Sequence, residues 1–316
     1  MVEVTDKNNF LFVEKYRPHK IDDCILPEEL KATFKSFVNQ GDFPNLLLTG
    51  TAGTGKTTVA KALCEELDYE PYVINASLDN GIDMLRNQIM NFASTTSLTG
   101  QKKCIILDEA DYLTAATQPA LRNFMESFSA NCRFILTCNL KNKIIDALHS
   151  RSTVIEFKVP SKDRQKLMAT FIKRCFEILK LEGIEYDQAV VIEIVKKYYP
   201  DNRRVLNELQ RLGATGKIDT GALAAVGTID LKELVAGLKE KDYKKVRKWV
   251  VDNTDNDSAM ILRKIYDNMY DIIAPESIPQ LVLFINEYQY RSAFVADQEI
   301  NMLAFMTNVM ADIQLK

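Results

Sequence analysis

Residues 50–57 read GTAGTGKT and satisfy the pattern G-x-x-x-x-G-K-[ST]. An apolar run, NLLLT at 45–49, comes directly before them, and a helical pattern over 57–67 follows. A strand that turns through glycines into a helix aims several backbone N–H groups at one spot, and the helix N-terminus favours negative charge there. In that setting Gly53, Thr54 and Gly55 wrap phosphate oxygens. Lys56 reaches the β- and γ-phosphates of a triphosphate, the Thr57 hydroxyl holds Mg2+, and the nucleotide-binding set runs on to Thr58. An ordinary glycine-rich turn leaves the complete motif in its complete context unexplained.

Around this loop, strand and helix patterns alternate. Strands are expected at residues 45–49, 72–75, 104–107, 133–138 and 153–157, with helices at 57–67, 82–92 and 118–128. That alternation predicts an α/β domain built on a parallel sheet. Pro160 and Ser161 mark a break, after which the strand signals vanish. Helices at 164–181, 186–199 and 202–212 predict a small helical domain ending near Gly227. An all-helical segment follows, with helices at 230–239, 243–253, 258–272 and 278–293. The expected division is 1–158, 159–228 and 229–316. There is no internal repeat and no low-complexity linker.

The strand expected at 104–107 runs into IILDEAD, residues 105–111. Two acids at the end of a buried strand are costly unless they have work to do. Asp108 stands where a phosphate-loop enzyme needs a carboxylate near Mg2+, and Glu109 is placed to polarise an attacking water as general base. Asp111 reads as a helix cap. A further strand, FILTC at 134–138, ends in Asn139, whose amide could orient that water or touch the γ-phosphate; by itself, Asn at a strand end reads as the start of a turn.

Composition narrows the class. With 316 residues and 47% hydrophobic content, the chain can build two or three domains and is not globally disordered. Net charge is −3, so any contact with nucleic acid must use a local basic surface. Six cysteines form no C-x-x-C pair and only two histidines accompany them, which argues against a structural zinc site. The cysteines lie mostly in apolar runs, as in a reducing cytosol. MVEVTDKNNF lacks a signal-peptide pattern, and no apolar run approaches a membrane span. A soluble intracellular protein is expected.

Several motifs together resemble one family, in its order along the chain. VEKYRP at 13–18 resembles the opening of the AAA+ sliding-clamp-loader ATPases. GID at 81–83 with Arg86, Asn87, Gln88 and Ile89 resembles their DNA-facing helix, and DEAD at 108–111 their Walker B motif. Gln118 with Ala120, Leu121, Arg122, Met125 and Glu126 resembles the helix written QxALRRxME. Asn139 falls at sensor 1, and Ser150–Arg151–Ser152 resembles the trans-acting SRC motif. Residues 201–207, DNRRVLN, resemble the sensor 2 helix. The resemblance covers about residues 10–212, is similar to replication factor C small subunits, and is greatest to the ATPase subunit of T4-type bacteriophage clamp loaders. Two departures are Ser152 in place of a cysteine and Pro200, a helix start, in place of a glycine. There is no zinc module.

The resemblance implies a fold, a cofactor set and partners. The fold is an AAA+ P-loop domain with a parallel sheet, a small helical lid domain and an all-helical C-terminal collar domain that holds subunits together. The cofactors are ATP and Mg2+. Val13, Glu14, Lys15, Tyr16 and Ile25 would line the adenine pocket; read without the family, Val13 and Tyr16 simply pack on the sheet edge. Arg151 would reach the γ-phosphate in a neighbouring subunit, and Arg203 would contact phosphates in cis, leaving Arg204 a surface or structural role. Asn80, Gly81, Ile82 and Arg86 would track one DNA strand by its backbone, and Gln118 would couple the DNA and ATP sites. Loop 94–103, with Leu98, would dock on the clamp. About four copies with one small clamp-loader subunit would act on a sliding clamp and primer–template DNA, and indirectly serve the replicative polymerase, in the cytoplasm of an infected bacterial host. Within Lys239–Trp249, the charges Lys241, Lys244, Lys245, Arg247 and Lys248 read as a solvated helix face. DEAD alone would indicate an RNA helicase, but that needs a second RecA-like domain after residue 160. Another AAA+ motor, such as a branch-migration helicase or helicase loader, lacks the Gln118 helix and the VEKYRP opening. A non-hydrolysing structural subunit would have lost Lys56, Asp108 or Glu109.

Overall fold

The structure, a computed structural model, describes residues 10–78, 81–95, 100–219, 231–254 and 258–316. Strand β1 (Leu46–Thr49) is buried at all four positions, because it has a neighbour on each edge and a helical layer on each face. It pairs in parallel with β4 (Cys132–Cys138) and β5 (Thr153–Glu156), with Leu46 opposite Ile135 and Thr153. With β2 (Tyr69–Asn75) and β3 (Lys102–Asp108), the sheet order is β2-β3-β4-β1-β5, all parallel.

Side chains of a strand alternate between faces, so a sheet covered on both needs unbroken apolar runs. Leu46, Leu48, Cys104, Ile106 and Ile135 meet Phe34 of α2 (Glu28–Gln40) and Val59 and Leu63 of α3 (Lys56–Glu66). Leu47, Ile105, Leu107, Phe134 and Leu136 meet Leu85 and Ile89 of α4 (Ile82–Ser94) and Leu121 and Met125 of α5 (Thr117–Ser127). The five expected strands are present. Helix α2 was not anticipated, although Pro27, two acids in the first turn and Gly41 at φ +71° are ordinary start and stop signals. A short α1 (Phe12–Lys15) precedes it, and α6 (Asp146–His149) leads into β5.

Three helices follow Pro160: α7 (Ser161–Leu181), α8 (Gln188–Tyr198) and α9 (Asn202–Gly213). Asp187 and Asp201 cap the last two, accepting from the Ala189 and Arg204 backbone N–H groups. The expected absence of strands here is corrected by β6 (Glu185–Tyr186) pairing in parallel with β7 (Lys217–Ile218). Two residues per strand are too few for any periodicity to show. Pro200 is not a helix start either: Asp201 is the cap and α9 begins at Asn202.

Packing divides the chain into two units, Met1–Ala222 and Leu223–Lys316. The second unit is helical: α10 (Leu231–Lys239), α11 (Tyr243–Asp252), α12 (Ser258–Asp267), α13 (Met269–Ile272), α14 (Ile278–Ser292) and α15 (Gln298–Asp312). Trp249, Leu281, Phe305 and Met306 lie in its core. The single helix expected over 258–272 is interrupted at Asn268, whose side chain bonds back to the Lys264 carbonyl at 2.7 Å. Helix α15 was not anticipated, though Asp297 caps it through the Ile300 N–H. Lys241, Lys244, Lys245, Arg247 and Lys248 are exposed, as a solvated face requires.

Candidate active site

The carboxyl ends of β1, β3 and β4 open into a cleft of about 1090 Å3, counting its mouth, which α1 and helices α7 and α9 close from the other side. The loop after β1 supplies Ala52, Gly53, Thr54 and Gly55, and α3 supplies Lys56, Thr57 and Thr58. Gly53 and Gly55 sit at φ +73° and +92°, conformations open to glycine at little cost. Lys56 is 8% exposed, and burial pushes its ammonium below the usual range. Each of its three hydrogens has an acceptor: the Gly50 carbonyl at 2.7 Å, the Thr51 carbonyl at 2.9 Å and Asn139 Oδ1 at 2.9 Å. The amide at the end of β4 therefore touches the lysine of the loop directly.

Asp108 ends β3 beside this group. Its Oδ1 accepts from Thr57 Oγ1 at 2.7 Å and from Thr137 Oγ1 at 2.5 Å. One carboxylate and one hydroxyl converging on a point, near the Lys56 ammonium, form a hard-oxygen set of the kind Mg2+ takes when phosphates supply further ligands. These residues fit the ion. Among the described residues no group of three or more His, Cys, Asp or Glu could hold a metal by itself.

Glu109 adopts φ +58°, a left-handed conformation that costs a non-glycine residue about 1–2 kcal/mol. It is held there by its own N–H to Thr137 Oγ1 and by the Tyr112 N–H to its carbonyl. Such strain concentrates at functional sites, where the fold over-determines the backbone. Asp111 does not cap a helix, contrary to expectation. It is buried, and its Oδ2 accepts from the Asn139 and Leu140 N–H groups at 3.3 and 3.2 Å, fixing the exit of β4 on which Asn139 rides.

At the other end of the cleft, Val13, Tyr16 and Ile25 line an apolar recess with Phe171 and Leu206. Glu14 and Lys15 do not line it. The helical turn of α1 puts residues 13 and 16 on one side and turns the two charged residues away. Glu14 pairs with Arg17, and Lys15 pairs with Glu182 at 2.6 Å. Tyr16 donates to Glu182 at 2.5 Å and packs with Phe12 and Ile178 against the lid helices, not on a sheet edge. Arg203 lines the cleft from the first turn of α9, whereas Arg204 lies over the Tyr198 ring at 4.6 Å.

Other cleft residues escaped the sequence reading. Arg174 donates to the Tyr16 and Asp23 carbonyls at 3.0 and 2.9 Å, tying α7 to the two segments that form the recess. Arg17 reaches Thr58 Oγ1 at 3.4 Å. Asn202 lines the cleft, and its buried amide oxygen has no hydrogen-bond partner among the described residues. Burial pushes the Cys24 thiol up to about 12, so it stays a thiol. Arg17 had a signal inside VEKYRP and Asn202 one inside DNRRVLN; Arg174 is brought to Asp23 and Tyr16 from over 150 residues away by the fold.

Three expected groups lie elsewhere. Arg151 is not among the residues lining its own chain's cleft; it stands after α6, bound to Glu126. Gln118 is buried on α5, its amide nitrogen donating to the Lys143 carbonyl at 2.9 Å and its oxygen accepting from the Ile145 N–H at 2.8 Å. It thus spans to the segment that leads to Arg151, beyond a local helix bond. Gly81, Ile82 and Arg86 are exposed at the start of α4. Ile82 is 42% exposed, whereas Leu85 and Ile89 of the same helix are buried. Asn80 and Leu98 lie outside the described residues.

Comparison with known proteins agrees with this geometry. The family model for ATPases associated with various cellular activities (AAA) matches residues 46–160, and that of the sliding-clamp-loader large subunit AAA+ ATPase lid domain matches 163–224. The sliding-clamp-loader large subunit of Enterobacteria phage T4 is 37% identical over the full length of both chains. This chain belongs to that family. The large subunit of Escherichia phage RB69 is 36% identical, again over both full lengths. The replication factor C small subunit of Sulfurisphaera tokodaii is 33% identical over 96% of each chain. Members of this AAA ATPase family bind and hydrolyse nucleotide, so the chain is an ATP hydrolase, and the RNA-helicase reading of DEAD is set aside. The Thermotoga maritima RuvB Holliday junction branch migration motor superposes with a TM-score of 0.53 at 20% identity, covering 71% of this chain and 78% of that one; it shares the AAA+ fold. No helix among the described residues is long and apolar enough to cross a membrane.

Proposed function

We propose that this chain is the ATPase subunit of a phage DNA-polymerase clamp loader, several copies of which assemble with one smaller subunit around a sliding clamp and primer–template DNA. The three-part division at about residues 158 and 228 into ATPase, lid and collar belongs to the same reading. The observation that carries it is the split of the catalytic set. Lys56, Thr57, Asp108, Glu109, Asn139 and Arg203 converge on one cleft, while Arg151 sits outside it on the same chain's α6–β5 turn. A guanidinium that cannot serve its own cleft can serve a neighbour's, where it would offset transition-state charge.

In this mechanism the loop amides and Lys56 bind the β- and γ-phosphates. The hard-oxygen pair Thr57 and Asp108 would hold Mg2+, which would supply positive charge against the phosphates. Glu109 accepts a proton from the attacking water. Asn139 orients the water or the γ-phosphate and keeps Lys56 in place. ATP bound between subunits stabilises a spiral that holds the clamp open. DNA entering the spiral contacts the exposed N-terminus of α4, with Gly81, Ile82 and Arg86, through phosphate rather than base contacts. Gln118 passes that contact to the segment bearing Arg151. Hydrolysis then releases the closed clamp on DNA. The likeness to large subunits of phages T4 and RB69 supports a site of action in the cytoplasm of an infected host.

The test is steady-state ATP turnover by the chain co-purified with its small partner, alone and with clamp plus primer–template DNA. A large stimulation that disappears in Arg151→Ala and Glu109→Gln supports the reading. A rate indifferent to clamp and DNA refutes it.

A further inference from the structure

Arg151 is held in its own chain by more than one contact. Its Nε donates to Glu126 Oε1 at 2.5 Å and its NH2 pairs with the same oxygen. Its NH1 donates to the Ala147 carbonyl at 3.2 Å and to Ser150 Oγ at 3.4 Å. A guanidinium has five N–H donors in a rigid fork, and here three hydrogen bonds and one ion pair engage it within its own chain. The fork can grip a phosphate only by an edge that presents two N–H groups together. One such edge, Nε with NH2, faces the Glu126 carboxylate; on the other, NH1 faces α6. The contacts of NH1 belong to the local turn around α6, whereas Glu126 is a side chain on α5 and 48% exposed. The Glu126 edge is therefore the one that can be released without unfolding the turn.

Glu126 also belongs to a larger arrangement. It follows Gln118 by eight residues on α5, and Gln118 grips the Lys143 carbonyl and the Ile145 N–H. Helix α5 thus holds the segment from Lys143 to Arg151 at both ends. The hydrogen bond from Arg151 keeps the Glu126 carboxyl below the usual carboxylate range, as a charged pair requires. Arg122 Nε lies 3.6 Å from the same oxygen, so Glu126 keeps a cationic partner when Arg151 leaves.

We propose that Glu126 is a positioning residue for Arg151: it parks the guanidinium with its charge compensated and yields the Nε–NH2 edge to the γ-phosphate bound by a neighbouring copy. This rests on the reading of Arg151 as a group that acts in trans. A phosphate bearing more negative charge than a carboxylate wins the exchange only when the neighbour is in register, so the parked state suppresses turnover before clamp and DNA are engaged.

The experiment uses the chain co-purified with its small partner subunit. ATP turnover is measured across ATP concentrations, with and without clamp plus primer–template DNA, for wild type, Glu126→Gln, Glu126→Ala and Arg151→Ala. An exposed ion pair shifts an equilibrium by roughly two- to fivefold. Both Glu126 variants are expected to raise kcat without clamp and DNA by about that factor, at unchanged KM. The fully stimulated kcat stays within about twofold, so the stimulation ratio falls. Raising ionic strength should lift the unstimulated rate of wild type but not of Glu126→Gln, because salt screens an exposed pair. An unstimulated kcat that is unchanged in both variants shows the pair to be inert and overturns the proposal. A lowered kcat overturns it too, assigning Glu126 to preorganisation instead. If Arg151→Ala keeps full stimulation, the trans role of Arg151 has failed and the proposal falls with it.

Discussion

Gly53→Ala probes how the phosphate-binding loop is coupled to the lid. Gly53 sits at φ +73°, and a Cβ there would lie 1.7 Å from Asp201 Oδ1, 2.4 Å from its Cγ and 3.0 Å from its Cα. The carboxylate could swing aside, but the backbone of Asp201 is also too near, so the start of α9 must give way as well. Asp201 Oδ1 caps α9 through the Arg204 N–H at 3.0 Å, and the Asn202 N–H donates to the Gly53 carbonyl at 3.1 Å. Alanine in a left-handed conformation costs about 1 kcal/mol, the lost cap about 1 kcal/mol and the lost backbone bond about 1 kcal/mol. The sum is about 3 kcal/mol, which for a unit of this size lowers Tm by roughly 6–12 °C. Because α9 carries Arg203 and Asn202 into the cleft, KM for ATP should rise about tenfold if ~1.4 kcal/mol of nucleotide contact is lost. Calorimetry and ATP titration of Gly53→Ala, Asp201→Gly and the double variant measure both effects. Removing the Asp201 side chain relieves the clash, so the double variant should be less damaged than the sum of the singles. A Gly53→Ala protein within about 2 °C of wild type, or strict additivity in the cycle, would refute the argument.

Further outcomes can be checked in the same preparations. Lys56→Met removes the cation that contacts Gly50, Thr51 and Asn139, and turnover should fall by roughly 10²-fold or more with the fold retained by circular dichroism. Gln118→Ala leaves the Lys143 carbonyl and the Ile145 N–H without this partner, a cost of about 2 kcal/mol, and should reduce clamp-and-DNA stimulation more than the basal rate. Asp42 tests a pH dependence: burial opposes its ionised form, but hydrogen bonds from Tyr69, Lys102 and Arg133 outweigh this and hold its carboxyl below the usual range. A depressed folded-state pKa stabilises the fold above the unfolded carboxylate value, about 3.9, and that stability is lost as pH falls further. The wild-type Tm should therefore drop more steeply than that of Asp42→Asn below about pH 4, by roughly 2–4 °C, the equivalent of about 1 kcal/mol after allowing for solvent screening at a side chain 35% exposed. Parallel curves would remove Asp42 from the account.

Much of the site was legible in the sequence, because its parts are local. The loop GTAGTGKT needs only the strand before it and the helix after it, and DEAD needs only the strand it ends. Both sit at strand ends that an unbroken apolar run already announces, since a sheet covered on both faces leaves its polar chemistry to the tips. The pair Thr57–Asp108 spans 51 residues, yet each member was identifiable from its own motif.

What the tertiary structure alone decided is which way side chains face and what distant residues they meet. The turn of α1 separated Val13 and Tyr16 from Glu14 and Lys15, although all four belong to one motif. Arg174 joined the cleft because α7 folds back over it to reach the Tyr16 and Asp23 carbonyls, a contact no spacing encodes. Asp111, which reads as a cap, became an anchor for β4 because strand pairing brought the Asn139 N–H within reach. The division also falls across the catalytic set: sequence placed Arg151 beside a recognisable motif, but only the packing of α6 on α5 put it against Glu126 and outside its own cleft. Local motifs carry the chemistry because their geometry closes over a few bonds; direction and partnership depend on the packing of elements far apart in sequence.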